Sequence, residues 1–464
     1  MNMINVRRLT VMTFLGASML SGISAQVSPL QVDTLKETKI PDQWDLQSCI
    51  DYAKEQNITI RKNRITAAST QIDVKTAKAA LFPSLSFSTG QQVVNRPYQE
   101  TSSRVSGSEI ISSNSKTSYN GNYGLNASWT LYNGNKRLKT IQQEKLNNQM
   151  AELDVATSEN NIQESITQVY IQILYAAESV KVNENTLQVS IAQRDRGQEL
   201  LNAGSIAKSD LAQLEAQVST DRYQLVTAQA TLEDYKLQLK QLLELDGENE
   251  MNIYLPALSD ENVLAPLPTK RDVYISALSL RPEIEASKLN VEASELGINI
   301  AKSSYFPTIS LSAGIGTNHT SGSDFTFGEQ VKNGWNNSIG LSVSVPIFNN
   351  RQTKSAVQKA KLQYETSMLS LLDEQKALYK TIESLWLDAN SAQQRYAANE
   401  KLKSTQISYE LISEQFNLGM KNTVELLTEK NNLLQAQQEQ LQAKYMAILN
   451  TQLLKFYQGD QLAI

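Results

Sequence analysis

The sequence predicts an α+β membrane protein built twice over, with four membrane-type β-strands per chain continued by long antiparallel helices in coiled-coil packing. Three observations carry this. A helical pattern gives way to a strand pattern at Phe82-Pro83 and again at Phe306-Pro307. Four segments alternate apolar with small polar residues at period two, the signature of a strand with two unlike faces. Two proline-free stretches, Asn133 to Ala203 and Asn349 to Leu418, follow the strand pairs; each is about 70 residues and roughly 105 Å long if helical.

The amino terminus reads as a secretory signal over residues 1–25. Arg7 and Arg8 supply its positive region, Leu9 to Leu20 its apolar core, and Ser24-Ala25 a small-residue cleavage site. The apolar run is too short to span a bilayer, so export is the expectation. The net charge of −5 provides no basic footprint for nucleic acid. Cys49, the only cysteine, lies in an amphipathic helix start and is expected in the core, without a disulfide or lipid.

The Phe-Pro switch follows from proline chemistry. The residue before proline is pushed out of the α region, and proline has no N–H to continue a helix. The two copies match from Asn63 to Pro83 and from Lys288 to Pro307, then at Gly124 with Gly340 and at Gly204 with Gly419, at offsets of 224, 216 and 215. This is an internal duplication. A first repeat spans 26–245, with strands near 84–93 and 120–132 and a helical hairpin over 133–245. A connection at 246–281 leads to a second repeat at 282–458, with strands near 308–316 and 337–347 and a hairpin over 349–457. A tail, 459–464, ends the chain.

In the strands, Leu85 and Phe87 alternate with Ser84, Ser86 and Ser88, and Leu125, Ala127 and Trp129 with Gly124, Asn126 and Ser128. Ile309, Leu311 and Ala313 alternate with Ser310, Ser312 and Gly314, and Ile339, Leu341 and Val343 with Gly340, Ser342 and Ser344. One face suits lipid and the other water, and aromatics stand near the strand ends, as in membrane barrels. Four strands cannot close a barrel, and lipid does not tolerate an open sheet edge. Several copies must therefore combine; two, three or four give eight, twelve or sixteen strands, and alternation does not choose among them. The connections between paired strands read as exposed loops, and His319, the only histidine, falls in the second of them without a companion metal ligand.

The helices carry heptads: Leu371, Leu378, Leu385 and Ala392, with Met368, Ile382, Ala389 and Tyr396 as companions. The returning helices carry Leu211, Val218, Leu225, Leu232 and Leu239, and Leu427, Leu434, Leu441 and Ile448. These are coiled-coil seams. The returning helices are too short to climb back alone, which predicts a collar of short elements at mid-height. Its material is 246–281, the segment before Ala53 and the carboxyl terminus.

No GxSxG, HExxH, Walker A or paired-cysteine motif occurs, so no enzyme activity, metal or cofactor is expected. Two glycine turns remain, Gly204-Ser205-Ile206-Ala207-Lys208-Ser209-Asp210 and Gly419-Met420-Lys421-Asn422-Thr423-Val424-Glu425. Each ends a helix at glycine and places an acid six residues later, in the first turn of the next helix, where the dipole favours it.

Together with Leu131-Tyr132-Asn133-Gly134, Pro346-Ile347-Phe348 and Arg281-Pro282-Glu283-Ile284, these features resemble the TolC-type outer-membrane efflux proteins over essentially the whole mature chain. The resemblance implies a homotrimer with a twelve-stranded barrel in outer-membrane lipid of a Gram-negative bacterium and a helical tunnel in the periplasm. It also implies docking to a periplasmic adaptor and an inner-membrane pump. By position it assigns Gly204, Ser205, Ile206, Leu211, Gly419, Met420, Asn422 and Leu426 to adaptor contact. It assigns Asp210 and Lys421 to a charge link between neighbouring hairpins, and Glu425 to the tunnel constriction. The family's second acid and its tyrosine before the glycine are here Thr428 and Phe416, implying a weaker acidic ring and a less hydrogen-bonded latch. The implied function is a passive exit duct for small molecules in a tripartite pump. The alternatives are the duct of a type I protein secretion system or, from another class, a coiled-coil surface fibre with a membrane anchor.

Overall fold

A computed structural model describes residues 41–98, 102–106, 109–113, 116–246, 251–256, 263–321, 323, 325–398 and 400–462, with backbone alone for 102–106 and 109–113. The signal segment 1–25 lies outside the described residues. The elements all lie within the unit Gln43–Ile464. They are α1 (Leu46–Gln56), α2 (Ile58–Ala79), β1 (Ser84–Asn95), β2 (Ser102–Ser106), β3 (Glu109–Ser113), β4 (Thr117–Asn133), α3 (Lys136–Asn202) and α4 (Lys208–Leu242). The second half continues with α5 (Lys270–Leu280), α6 (Pro282–Ser303), β5 (Thr308–Thr320), α7 (Phe327–Asn333), β6 (Asn336–Ser344), α8 (Gln352–Ala397), α9 (Glu400–Asn417) and α10 (Thr423–Gln458).

Both Phe-Pro switches end their helices in the same tight turn, the Phe82 N–H donating to Ala79 and the Phe306 N–H to Ser303. The carbonyl freed at Leu81 accepts the Trp129 indole N–H at 2.7 Å. The strands then form one antiparallel sheet in the order β1-β4-β5-β6. Its register pairs Phe87 with Leu125, Leu125 with Ile315, Leu311 with Leu341 and Ala313 with Ile339. Direct partners share a face, so the apolar residues of all four strands make one continuous surface. Serine, glycine and asparagine make the other. Leu85 and Phe87 keep 69% and 68% of their surface exposed, which a water-soluble sheet would cover. At Leu131 a bulge shifts the register, bringing Tyr132 opposite Ile309 on the apolar face at the strand end.

Four expectations about this region change. β6 stops at Ser344 rather than 347, because Pro346 cannot donate to a ladder. The first strand connection holds the β2–β3 hairpin, and the second holds α7, whose Thr326 and Glu329 cap each other. His319 belongs to β5, opposite Gly121. It is half-buried among Tyr119, Tyr123 and Phe327, with ring centroids 5.1, 6.3 and 5.0 Å away. The bare glycine surface opposite accepts the ring.

Each strand pair returns to helix through two consecutive left-handed residues, Gly134-Asn135 and Asn350-Arg351. α3 runs unbroken for 67 residues. Its upper part packs on α2 and α6, its lower part on α4 and α10. The second descending helix is not continuous: it breaks at Ala398 (ψ 38°) between α8 and α9. The main core lies at mid-height, where α1, α3, α10, Val263 and Leu462 meet, with Trp44 bridging to Ile253. A second cluster joins α5, α6, α8 and α10 around Val273, Ile284, Ile382 and Leu454. Cys49 is fully buried in the first, and burial lifts its thiol pKa to about 12. Of the heptad residues, Val218, Leu239, Leu378, Ile382, Ala389, Ala392, Tyr396, Leu434, Leu441 and Ile448 are buried, whereas Met368 is exposed on the surface of the single chain.

Candidate functional site

The two glycine turns come together at the lower end of the helices. Each is a Schellman closure: Ser205 and Met420 donate their N–H to Leu200 and Gln415, and Gly204 and Gly419 donate to Leu201 and Phe416. The geometry requires a positive φ, +76° at Gly204 and +74° at Gly419, which glycine adopts without a Cβ penalty. Leu200 of α3, Leu214 of α4, Phe416 of α9 and Leu426 of α10 form a small apolar core that ties the hairpins together. Phe416, where the family pattern has tyrosine, is wholly inside this core.

That core corrects one expectation. Leu426 is fully buried, because it faces its own partner hairpin, so it offers no surface to another protein. Gly204, Ser205, Gly419, Met420 and Asn422 are exposed, and Ile206 and Leu211 half-buried. Leu418 and Val424 extend the exposed apolar rim around Met420.

The acids start their helices in unlike ways. Asp210 accepts the Ala207 N–H at 3.0 Å; alanine has no oxygen with which to return the bond. Glu425 forms a full capping box, accepting the Asn422 N–H while the Asn422 side chain accepts the Glu425 N–H at 2.9 Å. Its second oxygen takes the Lys421 ammonium at 2.6 Å. The Lys421 bond, with the Asn422 N–H behind it, holds the Glu425 carboxyl below its usual range. Within one chain Asp210 and Lys421 are therefore each engaged elsewhere, Asp210 on its own helix and Lys421 on Glu425.

Above the tip core lies a polar seam that the heptad reading passed over. Lys430 of α10 bonds both Asp221 of α4 and Ser190 of α3, and Ser190 donates to the same Asp221 oxygen. Gln217 donates to the other Asp221 oxygen at 2.9 Å. Burial pulls the Lys430 ammonium pKa down, and Asp221 pushes it back up. Gln193 of α3 donates to the Tyr409 hydroxyl of α9 at 2.7 Å. A signal existed in the sequence: Asp221 follows buried Leu214 by seven residues and Lys430 follows buried Thr423 by seven, so each charge occupies a core position of its heptad. Among the described residues, no cluster of histidine, cysteine, aspartate or glutamate could hold a metal ion.

The family model described as outer membrane efflux protein matches residues 49–244 and 273–459, the two repeats without the connection between them. Among curated proteins, the outer membrane efflux protein BepC of Brucella suis is 24% identical over 299 residues, 64% of this chain and 62% of BepC. The chain thus spans less than two-thirds of that relative. Toxin and drug export protein A of Aggregatibacter actinomycetemcomitans is 22% identical over 89% of this chain and 87% of its own length. Among solved structures, CusC, described for the changes that accompany folding and transmembrane channel formation, superposes with a TM-score of 0.76 at 18% identity. That match covers 90% of this chain and 92% of CusC. The lipid-facing sheet, the duplicated helical hairpins and the match over both repeats lead to one assignment: this chain belongs to the outer membrane efflux protein family.

Proposed function

We propose that three copies of this chain form a passive exit duct through the outer membrane, twelve strands closing the barrel and the helices continuing it into the periplasm. One observation carries the reading. The sheet has an apolar outer face but two free edges, β1 and β6, and lipid tolerates neither. Joining β6 of one copy to β1 of the next removes every edge. Cysteines introduced at Ser86 and Ser342, both on the polar face, are expected to crosslink copies into a ladder ending at trimer. A ladder ending at dimer or tetramer would refute the stoichiometry. Purified protein should also conduct ions across a planar bilayer; a silent bilayer would refute the duct.

At the lower end, the exposed rim of Gly204, Ser205, Gly419, Met420 and Asn422 is the surface for a periplasmic adaptor, and through it an inner-membrane pump. Glu425 from three copies lines the constriction and holds cations there. Asp210 reaches Lys421 of a neighbouring copy when the tips converge. The names of the relatives, efflux protein and toxin and drug export protein, support an exporting role, and the duct works without catalysis. Adaptor copurification that survives in the wild type and is lost on Met420→Asp supports the docking surface; retention in the variant removes it.

A further inference from the structure

The chain carries a net negative charge, yet one level of the molecule is strongly positive. The register sets Asn133 opposite Thr308 and Thr308 opposite Ser344, with Ser84 opposite Ser128 nearby. All four helix-to-strand junctions therefore lie at one end of the sheet. Within ten helical residues of those junctions, counting Arg351, stand eleven lysines and arginines against three acids, Asp73, Glu144 and Glu295. The next ten residues of the same helices hold four bases and five acids. The excess is thus a band roughly 15 Å high, directly beyond the lipid-facing strands.

Within the single chain the band is largely uncommitted. Nine of the eleven cations are exposed, among them Lys75, Lys78, Lys136, Lys302, Arg351 and Lys354. Among the described residues none of the eleven belongs to a salt bridge; Arg137 alone turns back, to the Thr130 carbonyl. Lys78 and Lys302 stand in the last turns of α2 and α6, where the helix dipole favours a cation, but the two helix starts gain nothing of the kind. α3 and α8 start here without an acid in the first turn, so their basic side chains oppose the helix dipole. On the membrane side of the band, Phe82, Phe306 and Phe348 are exposed at the strand ends, where aromatic rings mark the hydrocarbon boundary. A row of cations just below such a boundary sits at headgroup height.

We infer that this belt docks the anionic phospholipid headgroups of the membrane leaflet that faces the helices, gathering phosphatidylglycerol-like lipids around the barrel. The inference rests on the reading of the sheet as part of a lipid-embedded barrel. Long lysine and arginine stems reach the phosphates while their methylenes lie along the apolar surface. Each engaged cation contributes up to about fivefold in lipid preference, less as salt screens it.

The test reconstitutes the full protein in phosphatidylethanolamine vesicles doped with spin-labelled phosphatidylglycerol or spin-labelled phosphatidylethanolamine, and compares the motionally restricted fractions. The wild type should prefer phosphatidylglycerol several-fold, with the preference shrinking towards one at high salt. It should also shrink in the combined variant Lys78→Gln, Lys136→Gln, Lys302→Gln, Arg351→Gln and Lys354→Gln. Should that variant misfold, the salt series on the wild type decides. Insertion with no lipid preference, or a preference unchanged by salt, overturns the belt while leaving the barrel intact. A preference that survives in the variant while the ion selectivity of the conductance changes places the cations in the lumen and overturns the inference. Failure of the protein to insert at all overturns the belt and the barrel together.

Discussion

Lys430 and Asp221 form an ion pair across the two hairpins, with only 3% and 1% of their side chains exposed. Such a pair gains little net stability, since desolvation offsets most of the attraction, but removing one partner strands the other charge. Asp221→Asn is therefore expected to destabilise the packing of α10 against α3 and α4 by about 3–5 kcal/mol. The double change Asp221→Leu with Lys430→Met should restore most of that loss. Thermal unfolding in detergent, read by circular dichroism, checks both. A single variant as stable as the wild type would contradict the buried pairing.

The Glu425 carboxyl is held below its usual value by Lys421. A carboxylate with a depressed folded pKa contributes stability above its unfolded value, near 4.5, and loses it as pH falls through the folded value. The cap, and any cation binding that uses Glu425, should hold from neutral pH down to about 4.5 and fail only in more acid solution. Lys421→Ala should move the pH midpoint of cation block upward. Conductance with a multivalent cation, titrated in both proteins, measures the shift; a downward or absent shift argues against this pairing.

Arg281 is buried between Glu164 at 2.6 Å and the Tyr457 ring, whose centroid lies 3.6 Å away. Burial raises the Glu164 pKa, and Arg281 opposes that rise. Arg281→Ala should cost about 3–5 kcal/mol by stranding the carboxylate, and Arg281→Lys should also lose stability, because an ammonium cannot fork and stack at once. A carboxylate with a raised folded pKa costs stability as pH climbs above 4.5, so the Ala penalty should be smaller near pH 5 than near pH 8. Melting temperatures at the two pH values decide.

Gly204→Ala and Gly419→Ala place a Cβ that meets nothing within 4 Å, so only the left-handed backbone is strained. The expected cost is about 1–2 kcal/mol each, confined to the tips. Hydrogen exchange should speed up in the last turns of α3 and α9 and remain unchanged in the mid-height core. Faster exchange throughout would show that the tips are not an independent unit.

Period and punctuation made the architecture legible. Phe-Pro ends a helix wherever it occurs, alternation assigns two unlike faces, and glycine with a following acid marks a hairpin tip; these are local effects of backbone sterics and dipoles. They placed Asp210 and Glu425 in first turns, where the structure has them. They did not reveal that Leu426 turns inward, that His319 packs over Gly121, or that the second descending helix breaks at Ala398. The first two depend on neighbours remote in sequence.

Spacing along the chain is enough to specify the duplication, the membrane character of four strands and the long helical stretches. The folded arrangement alone gathers Asp221, Ser190 and Lys430 into one buried site, since they come from three helices up to 240 residues apart. It likewise sets four scattered helix ends at one level as a basic belt. Burial and charge density are properties of neighbours in space, and the antiparallel return of the chain sets who those neighbours are.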